Sequence, residues 1–183
     1  MKTIGYVILL GMLTLVGCET RDYDLVTTVT KELEYNPDAV EGSFSETYTI
    51  YADDFNDDLG LDSDDTVKGV YIESLAISIE ALEENVATAV NIDGYVSGVA
   101  FIEDGVFPII EGSFDFTGIT GLLNAGIDRM AQDLEGFVTD SDPPSMVFRI
   151  EGDSHPDPGQ RIKLRIMINV TVSVIYSTQM EGI

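Results

Sequence analysis

The chain has one cysteine, one histidine and no tryptophan among its 183 residues. A single cysteine, Cys18, excludes an internal disulfide. With a single histidine beside it, a zinc site would need three carboxylate ligands, an unusual set. The histidine, His155, stands in Ser154-His155-Pro156-Asp157, where serine and aspartate are sequence neighbours. A nucleophilic triad is assembled by the fold from distant segments, so His155 reads as an exposed loop residue. Cations are also scarce: 9 Lys+Arg stand against 33 Asp+Glu, a net charge of −24. Such a surface repels nucleic acid and anionic headgroups. It suits a salty habitat, where carboxylates hold water and screening blunts their repulsion, or a cationic partner. Without a catalytic cluster, an enzyme is not expected.

One long apolar run is present. Ile4 to Val16 follows Met1-Lys2-Thr3 and shows no polar face. It matches a secretory h-region and falls short of the roughly 20 residues that a bilayer-spanning helix needs. The run ends in Leu15-Val16-Gly17-Cys18, which resembles the lipobox of bacterial lipoproteins. The resemblance covers residues 1–18 alone. It implies that residues 1–17 are a signal peptide and that Cys18 becomes an acylated mature N-terminus. Cleavage would also remove Lys2 and leave a net charge of −25. Several acyl chains on one residue anchor stably where a single chain does not. Residues 18–24 then read as a lipidated tether, and residues 25–183 as one β-rich domain large enough to bury a substantial core. The acids at Glu19, Asp22 and Asp24 resemble sorting or surface-export signals of some bacterial lipoproteins, and so point to an outer membrane or cell surface.

Most of the body alternates with period two, the signature of half-buried strands. Leu25–Tyr35 is rich in Val, Thr and Leu, and Phe44, Tyr48 and Ile50 share a strand face. Val70 and Ile72 fall on one parity while Leu75, Ile77 and Ile79 fall on the other, a phase slip that predicts a bulge near Glu73-Ser74. Asp104-Gly105, between Val99–Ile102 and Val106–Ile110, predicts a two-residue hairpin turn, with Asp93-Gly94 a weaker candidate. Ile162 to Tyr176 alternates without a break. About 15 residues at about 3.3 Å each make a strand long enough to bend or to pass between two sheets.

One stretch has helical period. Ile119, Leu122, Leu123, Gly126, Ile127, Met130, Leu134 and Phe137 recur at steps of three and four, with Asp128, Arg129, Gln132, Asp133 and Glu135 opposite. Thr117 or Thr120 can cap the start and Gly136 can end it. The fold expected is all-β: an antiparallel β-sandwich of immunoglobulin-like or Greek-key type, with one inserted amphipathic helix near 118–136. A helix-capped β-barrel is the alternative.

Two clusters are candidates for chemistry. In the acidic run Asp53–Asp65, the residues Asp54, Asn56, Asp58, Asp62 and Asp65 fall at positions one, three, five, nine and twelve of a calcium loop of the EF-hand or dockerin type. Alternate oxygens can then turn inward on a hard cation. Leu59 stands where that loop requires glycine, Gly60 comes one place late, and the flanks read as strands. A solvated acidic loop is the simpler reading, with calcium as the one cofactor to test. Arg149, Arg161, Lys163 and Arg165 make a basic stripe suited either to an anionic ligand or partner, or to neutralising the chain's own acids. The function expected is that of a membrane-anchored extracytoplasmic lipoprotein serving as a non-enzymatic binding or structural module, with an envelope protein or glycan as partner. The alternatives are a carrier of a hydrophobic small molecule or lipid and a calcium-stabilised adhesion module.

Overall fold

A computed structural model describes residues 20–62, 64–110, 113–116, 122–139 and 144–181. The leader, Cys18, and the expected cap residues Thr117 and Thr120 lie outside this set. The elements run β1 (Thr20–Tyr35), β2 (Asp38–Ala39), β3 (Ser43–Tyr51), α1 (Ala52–Leu59), β4 (Thr66–Ala81), β5 (Ala89–Val96), β6 (Val99–Pro108), β7 (Ser113–Phe116), α2 (Asn124–Val138), β8 (Ser145–His155) and β9 (Ile162–Glu181).

All strand pairs are antiparallel and form two sheets, β1-β9-β4-β7 with β2 beside β9, and β3-β8-β5-β6. Both sheets keep open edges, so the described strands build a sandwich and not the barrel. If the two-residue β2 is left out, the first, eighth, third and sixth strands share one sheet and the second, seventh, fourth and fifth share the other. That Greek-key interleaving is the double-sheet jelly roll.

The core follows from strand parity. Ile162, Leu164, Ile166, Ile168, Val170, Val172 and Val174 are all buried along one face of β9. Each contributes about 1.5–3 kcal/mol of transfer free energy. β9 stays within one sheet over its 20 residues, flanked by β1 and β4. The phase slip in β4 is a register shift between Ile72 and Ser74, with a second one between Val67 and Gly69. Phe101, Phe148, Ile92 and Ile150 line the facing sheet. The two helices among the described residues close the end of the core: α1 lies against β1 and β3, and α2 against β4 and β6.

Several local expectations are corrected. Thr20–Asp24 is not a tether but the first part of β1, paired with Ser177–Glu181 of β9. The β5–β6 turn lies at Ser97-Gly98, where φ is 46° and 82°, the pair of positive values that a type I′ hairpin needs. Asp104 also has positive φ, 53°, but inside β6. There two residues, Glu103 and Asp104, oppose the single Asp93, a bulge whose amide donates to Asp93 Oδ1 at 2.7 Å. The aspartate-glycine pair thus supplies a kink in the strand and not its reversal.

The helix near 118–136 begins at Asn124 and ends at Val138, with Leu123 and Thr139 at its caps. No side chain caps its start. Backbone bonds to β6 hold the entry instead, with Leu123 N–H donating to the Phe101 carbonyl at 2.9 Å. Gly136 is buried within the helix and does not end it. A second helix, α1, occupies the start of the acidic run. Phe55 and Leu59, one turn apart, bury against the core, and Gly60 in the left-handed conformation (φ 62°) closes its last turn.

Candidate functional site

α1 rearranges the acidic run. On a helix, Asp54 and Asp58 are one turn apart and face the same way. Lys31 reaches this helix: its ammonium donates to the main-chain carbonyl of Asp54 at 2.9 Å and pairs with the Asp58 carboxylate. Lys31 stands on the inner face of β1, opposite the buried Val170, and its ammonium lies 5.9 Å from the Phe55 ring centroid. Asn56 points elsewhere and donates to the Phe137 carbonyl at 2.9 Å. Asp62 and Asp65 belong to the following loop and bond each other, Asp62 N–H to Asp65 Oδ2 at 2.9 Å and Asp65 N–H to the Asp62 carbonyl at 3.0 Å. The five oxygen donors of the calcium spacing are therefore spread over a helix and a turn, not gathered round one point. Among the described residues, no three His, Cys, Asp or Glu side chains are grouped to hold a metal. Asn56 Oδ1 and Asp65 Oδ1 are shielded from solvent without a hydrogen-bond partner.

The basic stripe divides in two. Arg161 bridges Asp38 and Glu84, each at 2.9 Å, and Lys163 reaches Glu84 at 3.3 Å. Arg165 joins Glu34 at 3.3 Å and Glu80 at 2.6 Å. These three face outward from β9, and their carboxylates come from β1, β2, β4 and the loop after β4, not from the acidic run. Arg149 lies apart on β8 in the other sheet, paired with Glu151 at 2.9 Å and stacked 4.6 Å from the Tyr95 ring centroid. Half-exposed pairs of this kind are each worth about 0–1 kcal/mol. The four cations do not form one anion-binding patch.

His155 is exposed at the end of β8. Ser154, its neighbour, is buried, and strand alternation turns it to the opposite side. The Ser154 hydroxyl donates to the Asp157 carbonyl at 2.9 Å and accepts from Gln160 N–H at 3.1 Å, tying the loop that leads to β9. That geometry serves loop closure and brings no base to the serine.

Two buried polar groups escaped the sequence reading. Asp133, expected on the solvent side of its helix, is only 2 % exposed. Its Oδ2 accepts from the Ser97 hydroxyl at 2.5 Å, and its Oδ1 lies 2.9 Å from Arg129 Nε. The spacing held the signal, since Asp133 follows Met130 by three residues and precedes Phe137 by four, on the apolar stripe. Tyr35, 1 % exposed, packs edge-on to Tyr48 with ring centroids 6.3 Å apart, and its hydroxyl has no hydrogen-bond partner. Burial holds its pKa well above the ordinary phenol value, and the nearby Tyr48 and Glu46 add to the shift.

No family model and no curated protein matches the chain. Similar solved structures include one of Desmodium yellow mottle tymovirus, at 7 % identity over 87 % of this chain and 91 % of that one, with TM-score 0.34. Another is of turnip yellow mosaic virus, at 8 % identity over 86 % and 84 %, with TM-score 0.31. A third is the decameric BFDV capsid protein, at 11 % identity over 84 % and 99 %, with TM-score 0.32. The fold assignment rests on the strand pairing itself.

Proposed function

We propose that this chain is a lipid-anchored extracytoplasmic protein, held at an outer membrane or cell surface, whose sandwich is a non-enzymatic binding or structural module. The observation that carries the reading is the apolar leader Ile4–Val16 closing on Leu15-Val16-Gly17-Cys18. β1 begins at Thr20, two residues beyond that cysteine. An acylated Cys18 would therefore hold the free end of the β1–β9 pair within about 7 Å of chain from the anchor, with little slack between the domain and the bilayer. A jelly roll hosts many activities, so the fold by itself does not choose among partners.

The test is metabolic labelling with an alkyne fatty acid, followed by intact-mass analysis of the membrane-extracted protein. The expected product begins at Cys18 and carries acyl chains, and Cys18→Ala abolishes labelling and leaves the leader uncut. A mature protein that keeps its leader, or carries a free thiol, overturns the reading. For the module itself, cross-linking on intact cells is expected to recover a specific envelope protein or glycan. Folded, anchored protein that recovers nothing above background counts against that half of the proposal.

A further inference from the structure

The outer face of the β1-β9-β4 sheet carries an uncharged patch toward the Thr20 end of β1, with Val26, Tyr71 and the half-buried Ile175 as its apolar members. Cross-strand register aligns Val26, Ile175 and Gly69 in one row and Thr28, Ser173 and Tyr71 in the next. Val26 is 64 % exposed and Tyr71 52 %. The Tyr71 ring leans out of its own row over Gly69, where an added Cβ would lie 3.0 Å from the Tyr71 hydroxyl. The ring thus lies in the same row as Ile175 and Val26. A third row, Thr30, Thr171 and Ser74, continues the face. None of these nine residues carries a charge, although the chain as a whole has 33 acids. Asp24 and Glu32 bound the patch along β1, and along β4 the exposed Lys68 and Glu73 stand at its rim in the two bulges, between Val67 and Gly69 and between Ile72 and Ser74.

Three considerations identify what covers this face. The first is size: three rows on three strands span about 300 Å² at ordinary sheet spacings, well below the roughly 800 Å² per partner of a stable interface. The second is charge, because a second copy brings the same acidic rim and repels, whereas zwitterionic headgroups carry no net charge to oppose that rim. The third is reach: Val26 follows Cys18 by eight residues, at most about 28 Å of chain. A tethered patch meets the surface at high effective concentration, so a small area suffices. Exposed tyrosine beside aliphatic groups, with a lysine at the edge, is the side-chain mixture that settles at the headgroup level.

We propose that Val26, Tyr71 and Ile175 form a second membrane contact, which lays the outer face of the β1-β9-β4 sheet against the bilayer that holds the Cys18 anchor. This rests on the anchored reading above. It fixes which face of the sandwich a partner can reach: the opposite sheet, β3-β8-β5-β6, points away from the membrane.

The chain has no tryptophan, so Tyr71→Trp makes a single reporter, and Val147→Trp on the other sheet makes its control. The acylated protein is reconstituted into phosphatidylcholine vesicles whose acyl chains carry bromine. The expected result is loss of most of the emission of the Tyr71→Trp protein relative to unbrominated vesicles, with no change for Val147→Trp. Adding Val26→Asp should restore the lost emission. A protein that floats with the vesicles but shows no quenching of Tyr71→Trp overturns the proposal, as does a concentration-dependent dimer that buries that reporter. Failure to float with the vesicles instead sinks the acyl anchor. Coupling the Cys18 thiol to a maleimide lipid then restores the tether, and the same quenching comparison decides.

Discussion

Ser97, at the β5–β6 turn, donates a 2.5 Å hydrogen bond to Asp133, a buried carboxylate on α2 that also faces Arg129. The contact joins a hairpin in one sheet to the helix that closes the core. Hydrogen bonds to charged groups contribute about 1.5–3 kcal/mol, and breaking a buried charged pair costs about 3–5 kcal/mol. Asp133→Ala is therefore expected to destabilise strongly, and Ser97→Ala by less. In urea unfolding, the double variant should lose clearly less than the sum of the two. Simple additivity would show that the two side chains do not act together.

Gly126 sets two effects of opposite sign against each other. Alanine would favour the helix by about 1 kcal/mol. Its Cβ, however, would lie 2.4 Å from Phe101 Cβ and 2.5 Å from the Ala100 carbonyl oxygen. Overpacking against backbone costs about 1–3 kcal/mol, so Gly126→Ala is expected to lower the melting temperature. A rise would mean that α2 does not pack so closely on β6.

Tyr35 makes stability depend on alkaline pH. In the unfolded chain its phenol ionises near pH 10, whereas in the fold its pKa lies higher because of burial. The stabilisation is complete below the unfolded value and falls away as pH rises through the interval between the two. Tyr35→Phe should remove that part of the decline. At neutral pH the same substitution deletes a hydroxyl with no partner, so it should be neutral or slightly stabilising. A loss of several degrees at pH 7 would show that the hydroxyl is satisfied.

The acidic run offers a test by cation. A ion that binds only the folded state raises its melting temperature. With Asp58 paired to Lys31, which also holds the Asp54 main-chain carbonyl on the helix, millimolar calcium is expected to raise it no more than magnesium at equal ionic strength. A calcium-specific rise would mean that Asn56 Oδ1 and Asp65 Oδ1, both lacking partners, come together on an ion.

The strands were legible because burial on one side writes itself into period two. The even positions from Ile162 to Val174 are apolar and buried throughout, and the change of parity after Ile72 marks a real bulge. α1 was hidden by its acids. The alternate spacing of Asp54, Asn56 and Asp58 suggested a cation shell, while the helical pair Phe55 and Leu59 and the terminating Gly60 carried the information that decided the conformation. Asp104-Gly105 illustrates a different limit. Its positive φ was readable, but whether that bends or reverses a strand depends on a neighbour, Asp93, that only pairing brings near. The partners of Arg161 and Arg165 were not readable either. Their carboxylates lie 77 to 131 positions away along the chain, and among so many acids no spacing rule selects Glu84, Glu80, Asp38 and Glu34.

Among the described residues β1 has a single neighbour in its sheet, β9, and the register joins Thr20 to Glu181. β4 meets that same strand on its other side. β1 must therefore wait for a strand that follows every other described element, and the middle of this sheet stays empty until β9 arrives. Such long-range closure is slow, and anything that still held β9 away from the sheet would block it. A molecule delivered as an unfolded thread tolerates that order of events. One required to fold while still emerging would expose the flanks of β1 and β4 throughout.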